Sequence, residues 1–517
     1  MKSILYNDKL AVENVALKNR INELEFLVKY YEEQFRLAKH RQFGASSEKS
    51  DIGQISLFNE TEVTADEKVA EPELVEIEKY YRQRKRVTGD SLPENLPVET
   101  IEHTLPEAEQ ICSECGGVLH VMGRQRRREL KIIPAQVKIM EHIQHIYSCR
   151  NCERHNDHTP IVKATMPEPV IKGSFASAEA VAHIMTQKFM MGLPLYRMEQ
   201  EWNRQGIMLS RQTMSNWLIK CAEDWLEPIY GKLRVKLLTH DVLHADETTV
   251  QVLHEPGKSA QSNSYMWLYR TGGDADNPIV LYEYQPDRKA ERPQAFLKGY
   301  RGYLHTDGYD GYHKLGDDII VVGCWAHARR RFNEALKGLS KEHQKNSLAQ
   351  IGMWYCDALF KLERKYAECS AEKRYEARMK CSLPLAEDFL LWATSVDALP
   401  KSLIGKALNY LIEQWIYLKN VYLDGRLELS NNRGERSIKP FVIGRKNWLF
   451  ANTVKGAKAS SVIYSIIETA KENHLRPFEY LVYLLQTMPN TTTGKIDDLL
   501  PGSDKIPDFC RVPETDI

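Results

Sequence analysis

Apolar positions in this 517-residue chain repeat with different periods in different stretches, and the changes of period divide it. Near the N-terminus Leu10, Leu17, Leu24 and Tyr31 recur every seven residues, and Asn14, Ile21, Val28 and Phe35 form a second row four residues on. Such rows are the d and a positions of a coiled coil, with Asn14 as the polar a residue that fixes register. The alternative is an amphipathic helix packed on its own chain, in which Asn14 has no special use. The pattern stops after Gly44. From 178 to 190, from 195 to 205 and again beyond Ser210 the period is helical, with Gly206 as a turn and Ser210 as a helix cap.

Beyond residue 240 the pattern turns to strands. Val242, Leu243, Val250, Val252 and Leu253 read as one strand, 265–270 as a second and 279–284 as a third. A helical stretch at 289–300 follows, then short strands at 302–306 and 319–323, and a helix from about Trp325. The order β-β-β-α-β-α-β-α is that of a ribonuclease-H-like domain, a mixed sheet with flanking helices, in which the first and fourth strands are neighbours. Residues 338–428 hold helix formers and aromatics (Trp354, Tyr355, Phe360, Phe389, Trp392, Trp415) and read as a helical insertion. Helices are expected over 459–488, and the tail after Pro489 reads as loosely ordered.

Length demands several cores, and three or more domains are expected. No 18-residue apolar run and no signal peptide are present, so a soluble protein with no membrane association is expected. Lys plus Arg and Asp plus Glu are balanced at 70 each, which argues mildly against a simple DNA-coating protein. The balance is uneven. Residues 60–78 hold eight acidic residues against Lys68, whereas positive charge gathers at 82–86, 124–128 and 329–331.

Four of the ten cysteines form Cys112-x2-Cys115 and Cys149-x2-Cys152, the spacing of a zinc ribbon with one structural Zn²⁺ and intervening strands near 132–140 and 142–147. The helices around Gly206 match a helix-turn-helix, with Arg211, Thr213 and Asn216 early in the second helix as DNA-reading candidates; any helical hairpin looks similar. Three carboxylates have a framework. Asp246 and Asp307 end apolar strands that would lie side by side, and Glu435 follows Asn431 and Asn432, which suit a helix N-cap. Convergent carboxylates can hold two divalent ions for phosphoryl transfer. His327, Arg329 and Arg330 on one side, and Lys439, Arg445 and Lys446 on the other, are placed to neutralise DNA phosphates.

The segments HADETTVQVL, YLHTDGYDGYHKL, GCWAHARRRF and NNRGERSIKPFVIGRKNWLF resemble the signature blocks of the insertion sequence 66 family of DDE transposases, and the likeness runs over nearly the whole chain. The resemblance implies cutting and joining of the ends of a bacterial mobile element in the cytoplasm, at the nucleoid. It implies Asp246, Asp307 and Glu435 as the catalytic, metal-binding triad with two Mg²⁺ or Mn²⁺. Partners would be terminal inverted repeats and target DNA, a second copy joined through the coiled coil, and accessory proteins of the same element. One departure is Val442, seven residues after the glutamate, where many DDE groups place a cation.

The expected domains are a coiled-coil helix at 1–45, an acidic and basic linker at 46–100 and a zinc ribbon at 101–165. A helix-turn-helix region at 170–230, a catalytic domain at 231–455 and a helical C-terminal region at 456–517 complete the division. Two other classes fit in part: a structure-selective nuclease of the same fold, and an idle DNA-binding regulator, against which the three intact carboxylates argue.

Overall fold

The computed structural model describes residues 137–148, 161–491 and 493–513, scattered positions between 17 and 36, and the strand pieces Val75–Glu76 and Arg126–Arg127. Contacts separate one unit, Lys49–Thr165, from another made of Met1–Glu48 and Met166–Ile517. In the first, Val75–Glu76 pairs with Arg126–Arg127 and Ile146–Ser148 with Ile161–Lys163, both antiparallel. The described part of the expected 132–140 strand forms no ladder. Cys112, Cys115, Cys149 and Cys152 lie outside the described residues.

In the larger unit the described positions between 17 and 36 are helical, and the heptad residues Leu17, Ile21, Leu24, Val28, Tyr31 and Phe35 are 47–71% exposed. Ile21, Leu24 and Val28 also border a groove lined by Leu348 and Leu403. Leu10 and Asn14 lie outside the described residues.

Helices α1 (Ala178–Phe189), α2 (Leu195–Arg204), α3 (Arg211–Cys221) and α4 (Glu227–Leu237) follow. The caps are those the side chains dictate: Ser177 Oγ accepts from Ala180 N and Ser210 Oγ from Thr213 N, each at 3.1 Å. Gly206, at φ +79°, makes the left-handed turn between α2 and α3.

The sheet comprises β1 (Val242–His254), β2 (Asn263–Thr271), β3 (Val280–Gln285), β4 (Gly302–His305) and β5 (Ile319–Val322), ordered β3-β2-β1-β4-β5. The β3-β2-β1 pairs are antiparallel, β1-β4 and β4-β5 parallel, an order consistent with a ribonuclease-H-like core. A sixth strand, β6 (Ala451–Thr453), joins β1 in parallel from Val252 onward. The helix expected over 289–300 is only α5 (Glu291–Phe296), because Gly299 turns at φ +86°. Between β4 and β5 the expected helix is a 3-10 turn, Tyr312–Lys314.

After β5, α6 (Trp325–Gly338) leads into the insertion: α7 (Leu348–Lys365), α8 (Ala371–Ala377), α9 (Leu383–Ser395) and α10 (Leu403–Leu418). Its aromatics are chiefly core, with Tyr355 stacked on Phe389 at 4.7 Å, although Trp354 is 58% exposed. The fully buried Arg378 pairs with Glu363 and donates to the carbonyls of Val421, Asp424 and Leu427, tying the insertion to the 3-10 helix and turns that lead into α11 (Asn432–Trp448).

Helices α12 (Val454–Glu472) and α13 (Pro477–Thr487) close the fold. The polar buried face of α12 has a purpose: Ser465 Oγ accepts from Tyr282 N at 2.7 Å and Thr469 Oγ1 from Val280 N at 3.0 Å, satisfying the outer side of β3. At the opposite side, Asn420 Nδ2 donates to Val321 O at 2.8 Å and Gly323 N to Tyr417 O at 3.0 Å.

Over its described residues the tail is not loose. Leu499, Leu500, Ile506 and Cys510 are buried in the core, and Tyr480 Oη donates to Leu499 O at 2.7 Å. These apolar residues sit among Pro, Gly and Asp at irregular spacing, so no period announced their burial. Among the described residues no helix is long and apolar enough to cross a membrane.

Candidate active site

β1 is the base of the site because its pairing is interrupted. On one side it pairs with β4 only at 242–244, and with β6 only from Val252. Asp246 lies in the gap. It is therefore in mid-strand and not at a strand end as expected; what ends is its neighbour β4, after His305. The parallel register matches His244 to His305, so Asp246 and Asp307 stand equally far, two residues, beyond the last matched pair.

α11 crosses this gap. At its start Asn431 is buried, and its side chain caps nothing; Nδ2 donates to Ala245 O at 2.8 Å, and Oδ1 meets His244 Nδ1 at 2.9 Å. Since Oδ1 accepts, His244 Nδ1 carries the proton. His244 stacks on His305 with ring centroids 4.4 Å apart, and His305 Nε2 accepts from Glu428 N. Burial pushes His244 down to about 3 and His305 well below the usual imidazole range, so both are neutral spacers beneath the carboxylates. One turn on, α11 presents Glu435, and near its end Arg445 Nη1 donates to the hydroxyls of Thr248 and Thr249 at 3.2 and 3.1 Å.

The carboxylates differ in their surroundings. Asp246 Oδ1 accepts from Glu247 N at 2.8 Å, and its carboxyl is held well above the usual range by burial first, then by Glu247, Asp307 and Glu435. Asp307 Oδ1 accepts from Tyr309 N at 2.9 Å. Glu435 Oε1 lies 3.8 Å from His327 Nδ1, and Oε2 lies 3.7 Å from Arg330 Nη2. Glu435 Oε1 is buried without a hydrogen-bond partner. A buried carboxyl raised by its own kind and a carboxylate oxygen left unpaired are what a divalent cation relieves, so the donor set fits the metals the fold implies.

Sequence reasoning missed Arg288. Its Nε donates to Glu247 Oε1 at 2.7 Å, Nη2 lies 3.8 Å from Asp307 Oδ2, and the guanidinium sits 3.9 Å over the Tyr309 ring. Glu247, whose side chain is almost fully buried, also accepts from Tyr312 Oη at 2.6 Å. The adjacent Asp246 and Glu247 were the available signal, since two neighbouring buried carboxylates require a cation.

The other predicted residues are dispersed. Arg329 is paired with Asp357 at 2.7 Å, which draws it away from the carboxylates. His327 faces Glu435, and its imidazole is pushed down by burial and by Arg330. Lys439 and Lys446 follow Glu435 on α11. On α3, Arg211 is exposed and stands 5.6 Å from the Tyr196 ring, Asn216 is exposed, and Thr213 is occupied with the Ser210 cap.

Residues 173–459, more than half of the chain, match a family profile described as "Transposase IS66 family". Three further profiles match: "zinc-finger binding domain of transposase IS66" at 109–153, "Transposase C of IS166 homeodomain" at 30–101 and "IS66 C-terminal element" at 465–501. The first of these encloses all four paired cysteines, and the second reaches from the heptads into the charged stretch. Similar proteins include the uncharacterized protein y4jD of Sinorhizobium fredii (strain NBRC 101917 / NGR234), 29% identical over 79% of this chain and 81% of its own length. Another is y4hP of the same organism, 27% identical over 81% of this chain and 77% of its own. From its catalytic region to its C-terminal element, the chain belongs to the IS66 family of transposases.

Proposed function

We propose that this transposase cleaves and joins the ends of a bacterial insertion sequence at a site built from Asp246, Asp307 and Glu435. The observation that carries this reading is the gap in β1: two aspartates at equal register on adjacent parallel strands, with a glutamate brought over them by the helix that Asn431 fastens to Ala245. Two divalent ions, Mg²⁺ or Mn²⁺, when bound there activate the attacking oxygen and stabilise the leaving one. The protein's part is positional. Asp246 and Asp307 are set by their turns and by the neutral histidine stack, Arg330 orients Glu435, and Arg288 supplies positive charge at the rim of Asp307.

The same reading assigns DNA contacts to Arg211, Thr213 and Asn216 on a helix-turn-helix, to Arg330, Lys439, Arg445 and Lys446 around the carboxylates, and to Arg329 farther out beside Asp357. One structural zinc is assigned to Cys112, Cys115, Cys149 and Cys152. The test is strand cleavage and transfer with a labelled element end. Asp246→Asn, Asp307→Asn and Glu435→Gln should each abolish both reactions while leaving end binding near wild type. Cleavage that survives in any one of them removes that residue from the site, and cleavage without joining by the wild type makes the protein a nuclease.

A further inference from the structure

Among the described residues, the group of three potential metal-ligand side chains whose donor atoms all lie within 4.8 Å of one another is Cys324, His327 and Glu435, not the three carboxylates. Two of these donors stand out. Glu435 Oε1 and His327 Nδ1 are both shut off from solvent and both lack a hydrogen-bond partner, and they face each other at 3.8 Å. A direct hydrogen bond between them needs about 2.8 Å. Ligands about 2.1 Å from one octahedral Mg²⁺ or Mn²⁺ are roughly 3.0 Å apart when adjacent and roughly 4.2 Å when opposite, and the 3.8 Å between these two atoms lies inside that span. The observed separation suits an ion between them better than a shared proton. Cys324 is already committed, fully buried and accepting from Asn431 N at 3.2 Å, and so forms a wall. Arg330 takes the other oxygen of Glu435 and leaves Oε1 turned toward the imidazole.

The geometry points to His327 as a nitrogen ligand of the divalent ion that Glu435 holds, and not as a DNA contact. This rests on the metal-binding reading of Asp246, Asp307 and Glu435. His327 is held for the task, since it lies in the first turn of α6, whose buried Trp325 donates its backbone N–H to Leu429 O at 3.1 Å. One imidazole among carboxylates shifts metal preference from Mg²⁺ toward Mn²⁺.

The experiment is pulsed EPR of the zinc-replete full-length protein with Mn²⁺ added. The expected spectrum shows ¹⁴N coupling from a directly bound imidazole. His327→Gln should lose that coupling while still binding Mn²⁺, with affinity reduced about tenfold or more and Mg²⁺ affinity reduced less. Glu435→Gln should lose it too, whereas Mn²⁺ on surface histidines would keep it. Bound Mn²⁺ without ¹⁴N coupling in the wild type, or coupling that persists in His327→Gln, overturns the assignment and leaves the carboxylate site standing. If the wild type binds no Mn²⁺, or if Asp246→Asn binds it equally well, both readings fall. The wild-type spectrum decides even where a variant does not fold.

Discussion

Glu283 on β3 carries a carboxyl with one oxygen buried and unpartnered, and burial pushes it up to about 7. The unfolded chain has no such burial, so the folded chain holds the proton more tightly between the ordinary 4.5 and about 7. Stability should therefore be fullest below that window and fall as pH rises through 7, by about 3 kcal/mol at most. Denaturant unfolding at pH 5 and pH 8 should show this fall in the wild type and a flatter profile in Glu283→Gln. Asn431 makes a second residue-scale case. Asn431→Ala leaves His244 Nδ1 and Ala245 O without their partner, a loss of about 2–3 kcal/mol, with cleavage falling further than stability accounts for because Glu435 loses its anchor. As candidates, Asp246, Asp307 and Glu435 could be singled out in the sequence because each stands in or just beyond a strand or helix pattern with its own periodicity. Arg288 and the bonds of Asn431 could not. The Asn431–His244 bond joins residues 187 apart, and nothing local to either residue encodes it.

At the scale of elements, the legible pieces were those whose burial imposes a period. β1, β2 and β3 and the helices α1 to α3 formed within a few residues of their expected bounds. The pieces that escaped are held by scattered contacts. In the C-terminal tail Leu500 is 2% exposed although flanked by Pro501 and Gly502. Leu500→Ala should destabilise the protein by about 2–4 kcal/mol, measured by chemical denaturation; a change near zero would mean the tail rests on the core without supporting it. Arg378 is the corresponding anchor of the insertion, and Arg378→Met, which strands Glu363 and three carbonyls, should cost about 3–5 kcal/mol and be seen as early loss of the insertion in hydrogen exchange.

For the whole molecule, the proposed joining of two element ends calls for more than one copy. The exposed heptad face offers a route, and removal of residues 1–40 should lower the mass found by light scattering and disturb paired-end complexes more than single-end binding. An unchanged mass would assign Ile21, Leu24 and Val28 to the groove beside Leu348 and Leu403 in the same chain. The zinc module should behave as a separable unit, with Cys112→Ser or Cys149→Ser releasing about one zinc per chain because metal binding there is folding energy.

A protein that gathered in several copies on one stretch of DNA, as the proposed joining of two ends calls for, would run a risk that a solitary enzyme does not, because an unpaired β-strand can recruit its counterpart in the next molecule and start a polymer. Here the serine and threonine of α12 occupy the main chain of β3, and Asn420 with Tyr417 does the same for β5. At these bonded positions of β3 and β5, crowded copies thus find backbone groups of the core sheet already taken. Ser465→Ala combined with Thr469→Val should uncover β3 and produce thioflavin-positive polymer at concentrations where the wild type stays dispersed.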